Sequence, residues 1–125
     1  VLRELRRRGV RTGIASNCSQ RYLDSALVGL GVAEWVDEGR CLESPGIRNK
    51  GDMLADLLSC FGTRRAVMVG DTVDDMMAGK RAGLTVVGVT TGTTSRAELI
   101  EGGADHVVTE LAALVDLVEL SNLFP

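Results

Sequence analysis

Three short stretches combine residue types that can do chemistry, and each lies just after an expected strand or at the start of an expected helix. The first is Ser16-Asn17-Cys18-Ser19, directly after the run that ends at Ala15. A hydroxyl and successive backbone N–H groups between a strand and a helix can cradle an anion, phosphate above all. The same residue types are also the commonest helix caps. The second is Lys50 in Asn49-Lys50-Gly51-Asp52, at the start of an expected helix. A cation there opposes the helix dipole, so an acid or a phosphate must lie close unless the lysine is simply solvated along its stem. The third is Gly70-Asp71-Thr72-Val73-Asp74-Asp75. Asp71 follows an apolar run, and Asp75 falls in the first turn of the next helix. Two carboxylates so placed suit Mg²⁺, a hard octahedral cation that keeps several waters. Capping by Thr72 and Asp75 is the competing account, and it gives no reason for Asp71.

Other chemical residues read as structural. Cys18, Cys41 and Cys60 are odd in number and share no CxxC spacing, so neither a disulfide framework nor a zinc site is expected, and a reducing cytoplasm fits best. Cys18 has no histidine near it in sequence to activate it. His106, the one histidine, sits beside a late strand and is expected to be structural. Arg6-Arg7-Arg8, with Arg3 and Arg11, reads as an exposed helix face. With a net charge of −3, neither nucleic acid nor an anionic membrane is an expected partner.

The elements that must position these residues follow from hydrophobic period. Residues 1–8 read as the end of a helix stopped at Gly9, and Val10–Ala15 as a strand. Leu23, Ala26, Leu27 and Leu30 predict a helix stopped at Gly31. Trp35–Val36 reads as a weak strand before a loop containing Pro45 and Gly46. Leu54, Leu57, Leu58 and Phe61 share one helical face that ends at Gly62. Ala66–Val69 reads as a strand buried on both faces, Met76–Ala82 as a helix closing at Gly83, and Leu84–Val89 as a second buried strand. A short helix over 96–101 behind Ser95, a strand at His106–Val108 and a helix on Leu111, Leu114, Val115 and Val118 complete the chain. Alternating strands and helices predict an α/β fold, a Rossmann-like doubly wound parallel sheet with ligands at the carboxyl ends of its strands. With 45% hydrophobic and only 3% aromatic residues, the core must be built from aliphatic side chains packed close to 15 glycines. No apolar run is long enough to span a membrane.

The order Ser16, Lys50, Asp71 with Asp75 resembles the motifs of the haloacid dehalogenase (HAD) superfamily, whose strand ending in Ser or Thr, helix-start Lys and GDxxxD run they match. Leu30-Gly31-Val32-Ala33-Glu34-Trp35-Val36-Asp37 looks like that family's "LGL..YFD" turn, and residues 70–83 like its "GDT..D...A..AG" run. Val89-Thr90-Thr91-Gly92 and Gly103-Ala104-Asp105-His106-Val107 are similar to the phosphoglycolate-phosphatase-like branch. The resemblance implies that Asp71 ligates Mg²⁺ and that Asp75 assists through water or by holding Lys50. It also implies that Ser16 and the Asn17 N–H bind phosphoryl oxygens, while Lys50 offsets the charge developing on the phosphoryl group. All four side chains are then expected at one edge of the sheet.

The pattern also departs from the family. Its DxDx[TV] motif, which supplies the nucleophilic Asp, has no counterpart in the chain, nor has the cap domain that follows it. Gly51 stands where relatives usually have Pro. Residues 1–125 are therefore expected to be the later part of a HAD-type phosphatase core, motifs two to four, lacking the central N-terminal strand. The full-length protein is expected to hydrolyse a small phosphorylated metabolite through an aspartyl phosphate, and the 125-residue chain alone to be inactive. The alternatives are a non-catalytic α/β module that binds Mg²⁺, phosphate or a partner chain, and a phosphomutase of the same superfamily.

Overall fold

The computed structural model describes residues 1–120, with side chains through Leu117, and it divides into two compact units that meet in sequence between Phe61 and Gly62. The first contains α1 (Leu2–Arg7), β1 (Gly13–Ser16), α2 (Gln20–Gly29), a 3₁₀ turn (Ala33–Trp35), β2 (Glu38–Cys41) and α3 (Lys50–Phe61). The second contains β3 (Val67–Gly70), α4 (Val73–Arg81), β4 (Thr85–Val89), α5 (Arg96–Glu101), β5 (His106–Val108) and α6 (Ala113–Leu120). Strands and helices alternate in both, and every strand pairing is parallel, as expected of this α/β class. The strands make two sheets, β1-β2 and β3-β4-β5.

In the first unit β1 and β2 pair from Gly13 opposite Glu38 to Ser16 opposite Cys41. The strand expected at Val10 starts only at Gly13 because the exit of α1 uses the intervening residues. Gly9 is left-handed, and the Val10 N–H returns to the Leu5 carbonyl at 2.9 Å, a helix-terminating bond. Trp35–Val36 is not a strand. Trp35 closes the 3₁₀ turn, and the strand forms one step later, where the Asp37 N–H bonds to the Thr12 carbonyl at 2.9 Å. Glu38-Gly39-Arg40-Cys41 lacks apolar alternation, yet it has the period of two. Arg40 reaches Glu38 and, from α3, Asp56, while the next face meets Leu23 of α2 at Gly39 and buries Cys41 completely. The arginine run is tied up within the unit: Arg7 and Arg8 bond to Glu4, and Arg6 bonds to Asp37 and lies over the Trp35 ring. The two arginines hold the Glu4 carboxyl at a pKa of about 2.

In the second unit the sheet alternates cleanly. Met68 and Val86 face α4, with Gly79 allowing the close approach, and Gly88 faces Leu99 of α5. The intervening residues Val67, Val69, Val87 and Val108 pack on the opposite face with Leu114 and Leu117 of α6. Helices thus cover both sides, as a doubly wound sheet requires. Val86 to Val89 of β4 are buried throughout, as expected for that strand. The expectation fails in part for β3, where only Met68 is fully buried, because β3 ends its sheet and β4 lies in the middle of it. Leu111 precedes α6 and is exposed, and the Val118 side chain lies outside the described residues. The helix stops expected at Gly9, Gly31, Gly62 and Gly83 are all left-handed glycines.

Candidate functional site

The first unit holds the phosphate-type residues. Ser16 is the last residue of β1, and the cap of α2 is Ser19, whose hydroxyl accepts the Tyr22 N–H at 3.1 Å. Capping therefore does not account for Ser16 or Asn17. It does account for the helix N-terminus, because a Glu43 carboxylate oxygen also accepts the Gln20 N–H at 2.6 Å. An anion at this junction would meet Ser16 and the Asn17 turn rather than the first helical N–H groups. Lys50 opens α3, and its ammonium donates to the Ala15 carbonyl at 3.0 Å, one residue before Ser16. The dipole conflict at Lys50 is offset locally. Asn49 caps the helix through the Asp52 N–H at 2.9 Å, and Asp52 puts a carboxylate in the first turn. Gly51, with no side chain beside the Asn49 Oδ1, leaves that cap unobstructed. Cys18 is a half-buried free thiol, with its carbonyl accepting the Leu42 N–H at 3.2 Å.

The second unit holds the metal-type residues. Asp71 is exposed and follows the last residue of β3, and Asp75 is half-buried in the first turn of α4. The Thr72 hydroxyl accepts the Asp75 N–H at 3.2 Å, so Thr72 is a cap as well. Capping fixes the backbone of Asp75 in the first turn of α4. Two glycines explain where the carboxylates go. A Cβ on Gly70 would lie 2.6 Å from Asp75 Oδ2, and one on Gly92 would lie 2.7 Å from Asp71 Oδ2. Each carboxylate thus occupies the space that a side chain would fill at a neighbouring strand end. Carboxylate oxygens are the donor type that suits Mg²⁺, which is commonly held by one or two carboxylates with waters and substrate oxygens completing the octahedron. Among the described residues no three Asp, Glu, His or Cys side chains gather into a complete cage.

Asp74 is an exposed first-turn acid of α4, in line with its reading as a dipole partner. His106 lies in β5. Two polar residues that matter locally carry no functional signal in the sequence. Glu43 sits in a stretch expected to be loop, and Asp105 uses its carboxylate to accept the Val86 N–H at 2.8 Å and the Lys80 ammonium at 2.9 Å.

Comparison with known proteins places this geometry in context. The HAD-hydrolase-like family model matches residues 50–114, more than half of the chain and the whole stretch from Lys50 through Asp71 and Asp75. A phosphoglycolate phosphatase of Haemophilus influenzae is 29% identical over 123 residues, covering 94% of this chain and 54% of that protein. The chain therefore spans about half the length of the curated relatives it matches. A HAD family hydrolase from Deinococcus radiodurans R1, solved with bound phosphate and sodium, superposes with a TM-score of 0.88 at 27% identity, over 98% of this chain and 58% of that one. A haloacid dehalogenase-like hydrolase from Streptococcus pneumoniae superposes with a TM-score of 0.83 at 18% identity, over 94% and 56%. That likeness is one of fold. The family model, which covers more than half of the chain, makes the assignment: the chain belongs to the HAD-hydrolase-like family.

Proposed function

We propose that residues 1–125 are the later part of the core of a Mg²⁺-dependent phosphomonoester hydrolase that acts on a small phosphorylated metabolite such as 2-phosphoglycolate. The observation that carries the reading is the pair Asp71 and Asp75, each folded against a glycine, Gly92 beyond β4 and Gly70 at the end of β3. Ser16 and the Asn17 N–H would bind phosphoryl oxygens, and Lys50, held at the Ala15 carbonyl beside Ser16, would supply a fixed positive charge to the same group. Asp71 would ligate the metal directly and Asp75 through water. Mg²⁺, when bound, would neutralise charge on the phosphoryl oxygens, which is the main demand of phosphoryl transfer. The phosphate bound in the Deinococcus hydrolase supports this choice of ligand.

The attacking carboxylate, and with it the aspartyl phosphate, would come from a DxDx[TV] strand outside these residues. Cytoplasmic location fits the three free cysteines, and among the described residues no helix is long and apolar enough to cross a membrane.

Phosphate release by the full-length protein from p-nitrophenyl phosphate and 2-phosphoglycolate, with and without Mg²⁺, tests the reading. Lys50→Ala is expected to lower kcat by roughly a hundredfold or more, the usual cost of removing one charge-stabilising donor. Mg²⁺ binding without any turnover would favour a non-catalytic binding module instead. Turnover unchanged in Asp71→Asn would remove the proposed metal site.

A further inference from the structure

Gly92 poses a question that turn geometry does not answer. It is exposed, in the segment that leaves β4, and it is not among the glycines with left-handed backbone, so neither burial nor φ demands glycine there. Open surroundings do not explain it either. The three atoms nearest to its missing Cβ all belong to Asp71, Oδ2 at 2.7 Å, Cγ at 3.3 Å and Cβ at 3.5 Å. A real Cβ would overlap the carboxylate oxygen, and something would have to move.

The backbone at Gly92 is poorly placed to yield. Thr90, two residues earlier, bonds to the Val108 carbonyl through its N–H at 3.0 Å and its hydroxyl at 3.5 Å, which ties the exit of β4 to β5. Two residues further back, in β4 itself, Gly88 is paired with Gly70, the residue before Asp71. Both backbones are thus anchored through the same three-stranded sheet. The Asp71 carboxylate is the softer partner, since a χ rotation is enough to move it.

We infer that Gly92 is a positioning residue for Asp71: the absent side chain at 92 is the space that lets the carboxylate take its metal-facing rotamer. The inference rests on the proposed metal role of Asp71. It goes beyond that role in naming a residue outside the acidic run, on a different strand exit, that sets the direction of the ligand. Ala at 92 rotates Asp71 off its position and weakens divalent-metal binding without unfolding the second unit.

The test uses Mn²⁺ as a paramagnetic probe, with binding to the full chain followed by water-proton relaxation and competed by Mg²⁺. Wild type is compared with Gly92→Ala and Asp71→Asn, and thermal midpoints are recorded for all three and for Asp71→Ala with and without Gly92→Ala. Gly92→Ala is expected to bind Mn²⁺ about tenfold more weakly, the usual lower bound for disturbing a residue that orients a metal ligand. It is also expected to lower the midpoint in the wild-type background and not in the Asp71→Ala background, where no carboxylate remains to be displaced. Equal Mn²⁺ affinity in wild type and Gly92→Ala, with Asp71→Asn weakened, overturns the positioning role and leaves the metal site standing. Binding that Asp71→Asn does not change overturns the metal reading itself, and the inference with it. Should Gly92→Ala prove too unstable for titration, an identical midpoint loss in both Asp71 backgrounds counts against it.

Discussion

Asp71 and Asp74 are three residues apart and chemically identical, and their surroundings separate them. Asp71 leaves the end of β3 with its carboxylate against Gly92, whereas Asp74 is a surface acid in the first turn of α4. Calorimetric titration with Mg²⁺ is expected to show binding lost in Asp71→Asn and nearly retained in Asp74→Asn; equal losses would count against the assignment. Asp105 illustrates an acid with a different task. Its backbone N–H bonds to the Val86 carbonyl at 2.8 Å, and its carboxylate returns to the Val86 N–H, so one side chain stands in for a missing ladder bond just before β5. Burial alone would raise its pKa, but the Lys80 ammonium and the Val86 N–H outweigh it and hold the carboxyl below the usual value. A depressed folded-state pKa stabilises the fold above the unfolded value, near about 4, and that contribution is lost as pH falls through the folded value. The gap in thermal midpoint between wild type and Asp105→Asn is therefore expected to be widest near neutral pH and to close on acidification below about pH 4.

At the scale of elements, close approach between layers is the recurrent demand, and Gly79 is its sharpest case. Gly in mid-helix costs roughly 1 kcal/mol relative to Ala, so by propensity alone Gly79→Ala should stabilise α4. Here a Cβ would lie 2.7 Å from Val86 Cγ2 and 2.9 Å from Met68 Cβ, both on the sheet beneath. Overpacking of this kind costs about 1–3 kcal/mol, and Met68 and Val86 are held in a three-stranded sheet that cannot retreat cheaply. Gly79→Ala is expected to lower stability in denaturant titration despite the gain in helix propensity; an increase would show that α4 can lift off the sheet. By contrast α5 is held by local chemistry. Ser95 and Glu98 form a reciprocal capping box, which is why a helix of only 6 residues is legible from Ser95 alone.

For the molecule as a whole, the expected activity depends on what each unit supplies. In the proposed function the first would supply Ser16, Asn17 and Lys50 and the second Asp71 and Asp75, and no stretch of these residues matches the family's DxDx[TV] motif. A carboxylate engaged with a cation is a weak nucleophile, so in their proposed role as metal ligands Asp71 and Asp75 would be poor substitutes. The 125-residue chain is expected to release no phosphate above background from p-nitrophenyl phosphate or 2-phosphoglycolate in Mg²⁺. A form extended to include a DxDx[TV] strand should turn over and should lose activity when its first Asp becomes Asn. Mg²⁺-dependent turnover by the 125-residue chain, sensitive to Lys50→Ala, would mean that the nucleophile lies within these residues.

Much of this was legible without coordinates, because it follows from local rules. Glycine stops, the Ser95 cap, the apolar run of β4 and the placement of Ser16, Lys50 and Asp71 at element ends all depend on neighbours in sequence. Tertiary structure decided the rest. Glu38–Cys41 becomes a strand only because β1 offers a parallel edge and α3 offers Asp56 to Arg40, partners that period alone cannot announce. Ser19 and Glu43 take the α2 N-terminus and release Ser16 from capping, a choice between hydroxyls three residues apart that only hydrogen-bond geometry makes. Gly92 and Gly79 read as ordinary loop and helix glycines in one dimension, and their requirement appears only where another segment passes within about 3 Å of the missing Cβ, too close for any side chain to fit.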